Sequence, residues 1–368
     1  MKTKELLLVL VLSISLIIIS CKPDDPEMPK GSNSELTEAN IQNLLINQVD
    51  GLIIPAAQSY QTQMEELLSS AVDFVSDVTE EKLISLRIAY LEANSSFQSV
   101  AVHNYFATAN LDLINTTNLY PIDTALLDEF IDTESYDFNV TTQLRANGFP
   151  ALDYLLYGPD DPVTIFASST KTSAFLVELV TAMKEKSDLL LESWAGELRD
   201  NFVDNGGVEL GSSVSVQLNE VMFYYEDHIR GNKVGIPVGR LGPNDTPFDV
   251  DGTKIEGYYQ SLFDGNDNIA LNLLKVAIEE MEDVYLGVSA DGEDGVGYED
   301  LLLSIDQESL DFDIKTQYQA IYNNIENRTS ILGDEVLYDS IQGLVTLYKS
   351  DLFPVLNVQD ADGSNDGD

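Results

Sequence analysis

Few residues in this chain can do chemistry near neutral pH: its 368 residues include one cysteine, Cys21, and two histidines, His103 and His228. Neither histidine belongs to a His-x-x-x-His or His-Glu-x-x-His spacing, the patterns that set two ligands on one helix face. His103 lies in an apolar stripe, VAVHNYF, and is expected to be packed or at the surface. His228 follows Glu226 and Asp227 in FYYEDHIRGNKVG, which leaves two readings. One is a carboxylate–histidine metal site; the other is a helix end where His228 and Arg230 complement the helix dipole. Neither a Gly-x-Ser-x-Gly elbow nor a Walker-type phosphate loop occurs. Three acidic stretches, FDVDGTKIEG at 248–257, SADGEDGVGYED at 289–300 and DADGSNDGD at 360–368, offer oxygen ligands to a hard cation. None has the twelve-residue calcium-loop spacing, so solvated turns are expected. The aromatic runs Phe223-Tyr224-Tyr225 and Tyr258-Tyr259 could stack on a ligand, although at helical spacing such aromatics more often belong to the core or its rim.

Cys21 has a different use. Lys2 and Lys4 make a basic start, Leu6 to Ile19 an apolar core, and Ser20-Cys21 ends it. That is a signal peptide over residues 1–20, too short to span a membrane. Ile18-Ile19-Ser20-Cys21 resembles the lipoprotein signal class, which implies cleavage before Cys21 and a lipid anchor on its thiol. Disulfides and cysteine catalysis are then excluded. Residues 21–35 follow as a flexible tether; the proline-bearing part, KPDDPEMPKGSNSE, reaches at most roughly 50 Å. Lys22-Pro23-Asp24-Asp25 resembles the charged signal that sends some lipoproteins of the Bacteroidetes type to the outer face of the outer membrane. The expected location is therefore the cell envelope, lipid-anchored, at the periplasmic or surface face of the outer membrane. With 63 acidic residues against 19 basic ones, a formal charge of −44, nucleic acid and anionic lipid surfaces are poor partners.

From Leu36 onward the dominant period is helical. Leu83, Leu86, Tyr90, Ala93, Phe97 and Ala101 fall three or four apart, as do Leu176, Leu179, Met183, Leu190 and Trp194. Leu273 to Val284 and Ile341 to Leu352 repeat the pattern. No Asn-Gly or Asp-Gly hairpin separates two alternating β-branched runs, so the fold class is all-α. Pro55, with Gly51 one turn before it, predicts a kink or split in a helix running from about 36 to 77. Breaks rich in glycine or proline at 157–163, 204–212, 231–247 and 287–297 punctuate the rest. Two packed helical bundles are expected, 36–160 and 161–357, followed by a disordered acidic tail at 358–368.

One segment carries a family resemblance. GFPALDYLLYG at 148–158 resembles the signature of the imelysin family, a Gly-x-His-x-x-Glu motif opening an apolar helix. IIPAAQSY at 53–60, LISLRIAYLEANSSFQSV at 83–100, Tyr120-Pro121-Ile122-Asp123, the loop-like Lys233–Gly239 and LVTLYKSDLFPVLNV at 344–358 resemble further parts of that family in the same order. The resemblance implies a helical envelope protein tied to iron acquisition, with the motif's His and Glu as metal ligands. Gly148 matches, but Pro150 stands at the His position and Asp153 at the Glu position. Proline has no side-chain donor, and a lone carboxylate cannot hold a zinc-type site. Pro150 suits a helix's first turn behind an Asn147 cap, and Asp153 is read as first-turn charge facing that helix's own dipole. A non-catalytic binding component for uptake of iron or another divalent metal is the leading expectation. Its partners would be the membrane through the lipid and an envelope protein or metal ligand; no particular cofactor is indicated. The competing expectations are a metal-dependent peptidase with its site moved to Asp153, Glu226 and His228, and a structural or adhesive envelope module.

Overall fold

In a computed structural model of the chain, the described residues are 36–240, 252–265 and 268–361. The leader, Cys21, the tether and residues 362–368 lie outside them. The first helix, α1 (Glu38–Asn47), starts where the Thr37 hydroxyl accepts the Asn40 N–H at 3.1 Å. It runs through a π-helical stretch, Gln48–Ile53, into α2 (Ile54–Ser76), with Pro55 in the first turn. The split expected at Pro55 is thus a change of helix type. Proline removes an N–H and crowds the carbonyl four residues back, and a widened turn accommodates both.

Three residues turn α2 back into α3 (Glu80–Val102), whose cap is Thr79. The buried residues of α2, Ala57, Tyr60, Met64, Leu67, Ala71 and Phe74, recur at helical spacing. Each large apolar side chain among them contributes about 1.5–3 kcal/mol by leaving water. The smaller helices α4 (Thr124–Thr133) and α5 (Gly148–Tyr157) precede the long α6 (Thr170–Ser193). α2 packs along both α3 and α6. Helices on either side of residue 160 therefore share one core. The stripe of α2 is broad enough to face two neighbours, one from each side of residue 160.

Next come α7 (Ser213–Tyr224), a π-helical stretch Tyr225–Gly235, and a short helical turn Ile236–Val238. Lys233–Gly239, read from sequence as a loop inside a glycine-bearing break, is thus largely helical. The chain continues as α8 (Tyr258–Asp264), α9 (Asn268–Leu286), α10 (Tyr298–Ser304), α11 (Glu308–Glu326) and α12 (Glu335–Thr346). A π-helical stretch, Leu347–Leu352, carries the C-terminal stripe onward. Among the described residues there is no β-strand, only an isolated bridge between Val288 and Asp294. No single described helix is long and apolar enough to cross a membrane. Val358–Ala361, expected to begin a disordered tail, are docked instead. Val358 is buried, and Asn219 bonds to the Gln359 carbonyl and the Ala361 N–H.

A buried polar chain ties the helices together. Gln217 Nε2 donates to Tyr105 Oη at 3.0 Å and to Gln48 Oε1 at 2.8 Å, while its Oε1 accepts from Tyr298 Oη at 2.7 Å. His103 continues the chain, with Nδ1 3.1 Å from Tyr105 Oη and Nε2 2.9 Å from Glu280. Its packed placement is as expected, and its role is to join α3 to α9. Replacing Gln217 by Leu strands the Tyr298 hydroxyl and Gln48 Oε1 and leaves Tyr105 Oη with His103 alone. The expected loss is about 2–3 kcal/mol, read as a lowered urea midpoint.

Candidate functional site

Gly148 sets the position of the family-like segment. Its φ of +68° lies in the left-handed region, and a Cβ there would overlap the Thr117 carbonyl. Its N–H donates to Asn147 Oδ1 at 2.7 Å, and Asn147 Nδ2 donates to the Phe138 carbonyl at 3.0 Å, so Asn147 is the expected cap. From this start α5 turns Phe149 inward, with ring centroids 6.1 Å from Tyr90 and 5.5 Å from Phe97. Pro150 and Asp153, one turn apart on α5, both line a cavity of about 290 Å³. Tyr90, Tyr120, Phe149 and the Tyr258-Tyr259 pair supply aromatic wall, and Glu256 supplies a second carboxylate. Tyr120 enters through the Tyr120-Pro121 turn, a cis peptide, after which Asp123 caps α4 by accepting the Leu126 N–H at 3.0 Å.

Asp153 is only 2% exposed, and it does not serve its own helix. Its Oδ2 accepts the Tyr259 N–H at 2.7 Å and its Oδ1 the Gln260 N–H at 2.9 Å, so it caps α8. The reading of Asp153 as charge for its own helix dipole is corrected accordingly: α8 brings free amides to it through a tertiary contact. Burial pushes its carboxyl up to about 7, opposed by those two amides. The folded state therefore holds a proton between about pH 4 and 7 that the unfolded chain has released. The stability this contributes is complete below that window and is lost as pH rises through about 7. Asp153→Asn is expected to gain more than about 1 kcal/mol relative to the parent between pH 5 and pH 8, measured by urea unfolding at both.

Behind the cavity sits a pair that sequence reasoning missed. Lys233 Nζ reaches Glu256 Oε2 at 2.5 Å and donates to Gln98 Oε1 at 2.7 Å; Asn118 Nδ2 donates to the other Glu256 oxygen. Lys233 and Glu256 are 6% and 5% exposed. Burial holds the Lys233 ammonium below its ordinary pKa, and Glu256 opposes that shift. Glu256 belongs to the acidic stretch 248–257 expected to be a solvated turn, and its burial corrects that expectation. The available signal was a lysine immediately before the apolar run Val234–Val238 in a lysine-poor chain.

His228 lines an adjoining pocket of about 90 Å³ with Tyr120, Tyr224, Asn232, Lys233 and Glu256. Burial lowers its pKa, against Asp227, which raises it. Glu226, two residues earlier, points elsewhere: its oxygens lie 2.8 Å from Lys349 Nζ and 3.8 Å from Arg230 Nη1. Residues two apart on a helix take nearly opposite faces, so Glu226 and His228 do not converge. Arg230 is likewise buried and bonded to Gln342 at 2.8 Å, and the helix continues beyond it. The helix-end reading of His228 and Arg230 therefore falls with the Asp153, Glu226 and His228 ligand set. Among the described residues, no group of three or more His, Cys, Asp or Glu is placed to hold a metal ion.

The helical architecture, the glycine-opened α5 and the cavity it lines define a protein of the imelysin class. A model of the imelysin family matches residues 53–347, and the chain belongs to that family. Its fold is similar to a crystal structure from Parabacteroides distasonis ATCC 8503, assigned provisionally as an iron-regulated protein A precursor. That match has 15% identity and a TM-score of 0.72, over 86% of this chain and 95% of that one. An imelysin-like protein from Psychrobacter arcticum 273-4 is also similar, at 15% identity and a TM-score of 0.70, covering 89% and 98% of the two chains. Among curated proteins none matches in sequence.

Proposed function

We propose that this chain is a non-catalytic member of its family, lipid-anchored through Cys21 in the cell envelope, serving uptake of iron or a related metal by binding a ligand or membrane partner. The observation that carries the reading is the pair Pro150 and Asp153 on one cavity wall. The metal implied by the family motif does not fit there, because Pro150 offers no donor and the single carboxylate of Asp153 cannot by itself hold a metal ion. An uptake role does not require that motif to hold the metal; a binding protein can act through its cavity or a surface. The provisional designation of the Parabacteroides relative as iron-regulated supports the link to iron.

The deciding experiment is deletion of the gene under iron limitation, paired with peptidase assays of the purified chain with added zinc or calcium. Impaired growth without peptidase activity is the expected result. Unimpaired growth would favour a structural or adhesive role, and metal-dependent cleavage would return the protein to the enzymes. The anchor has its own test: Cys21→Ala is expected to move the protein from the membrane to the soluble fraction on ultracentrifugation, with an unchanged helical circular dichroism spectrum.

A further inference from the structure

The cavity is lined by a carboxyl group, Asp153, that has no counter-ion. Among the described residues no lysine, arginine or histidine pairs with Asp153, although it is 2% exposed. Its two amide partners leave further lone pairs on the carboxylate open. A second, independent observation concerns another residue of the same wall. The Tyr120 hydroxyl is buried without a hydrogen-bond partner, and Tyr120 lines the cavity. The walls are aromatic, and tyrosine and phenylalanine faces attract cations through their quadrupole.

We propose that this cavity binds a small organic ammonium ion, its charge against Asp153, its donors reaching the Tyr120 oxygen and its carbon body between Tyr90, Phe149 and Tyr259. The proposal rests on reading the chain as a binding protein and names the ligand class. An anionic ligand is disfavoured, since it would face two carboxylates while the neighbouring cation, Lys233, is already held by Glu256 and Gln98. A bare metal ion lacks the convergent ligands it requires. The volume of about 290 Å³ lies at the small end of the range for ligand pockets and suits a short-chain amine.

Isothermal titration of the purified full chain with n-butylammonium, and with 1-butanol as its neutral isostere, tests this. The ammonium is expected to bind at least about tenfold tighter than the alcohol. Asp153→Asn is expected to abolish that preference, and Tyr120→Phe to weaken ammonium binding several-fold with the circular dichroism spectrum unchanged. Because Asp153 also caps α8, the Tyr120 variant keeps the test decisive if Asp153→Asn fails to fold. Equal binding of alcohol and ammonium would overturn the proposal, as would an unaffected Tyr120→Phe, or heats seen only with zinc, ferric ion or butyrate. Absence of ammonium binding alongside impaired growth of the deletion strain on limiting iron removes the ligand class alone. Unimpaired growth instead removes the uptake reading on which it rests.

Discussion

Gly148→Ala is expected to lower the stability of this protein by about 3–5 kcal/mol. Two costs combine: an L-residue is held at φ +68°, and the new methyl must displace the Thr117 backbone, which has no flexible end to move. Any shift of Thr117 disturbs Asn118 and with it the hydrogen bond to Glu256. A shift of α5 also moves Pro150 and Asp153 off the cavity wall. Gly206→Ala is the control, since its methyl would meet only Ile41 Cγ2 at 3.7 Å; a change within about 0.5 kcal/mol is expected there. Urea midpoints of both variants against the parent check the contrast.

Lys233→Met is expected to cost about 3–5 kcal/mol for a different reason. It leaves the Glu256 carboxylate buried with Asn118 as its partner and no cation. Adding Glu256→Gln to Lys233→Met removes the stranded charge, so the double variant is expected to be more stable at pH 7 than Lys233→Met alone. A double-mutant cycle measured by urea unfolding at pH 5 and pH 8 isolates the coupling. Independent, additive losses would show that the two side chains do not act as a pair.

The helices were legible because their signal is local. The apolar positions of 83–101 and 273–284 repeat at the helical period, and each stripe is found buried on α3 and α9. Pro55 and Gly51 announced a break, but its form as a π-helical stretch depends on what packs around it. Asn47, just before that stretch, reaches over to the Gly287 and Val296 carbonyls, a contact with no trace in local spacing. Segment 231–238 misled in the opposite direction. Its glycines suggested a break, whereas packing of the π-helical stretch against α12 keeps it helical.

By itself the sequence determined the all-α class, the helix stripes, the family resemblance and the replacement of the motif histidine by Pro150, because each depends on residue identity and short-range period. Only the tertiary structure decided the use of the carboxylates. Asp153 caps a helix more than a hundred residues away, Glu256 leaves its acidic stretch to pair with Lys233, and Glu226 and His228 diverge despite their adjacency. The physical reason is that a buried charge is tolerated only with partners of suitable geometry, and in a helical protein those partners come from elements distant in sequence.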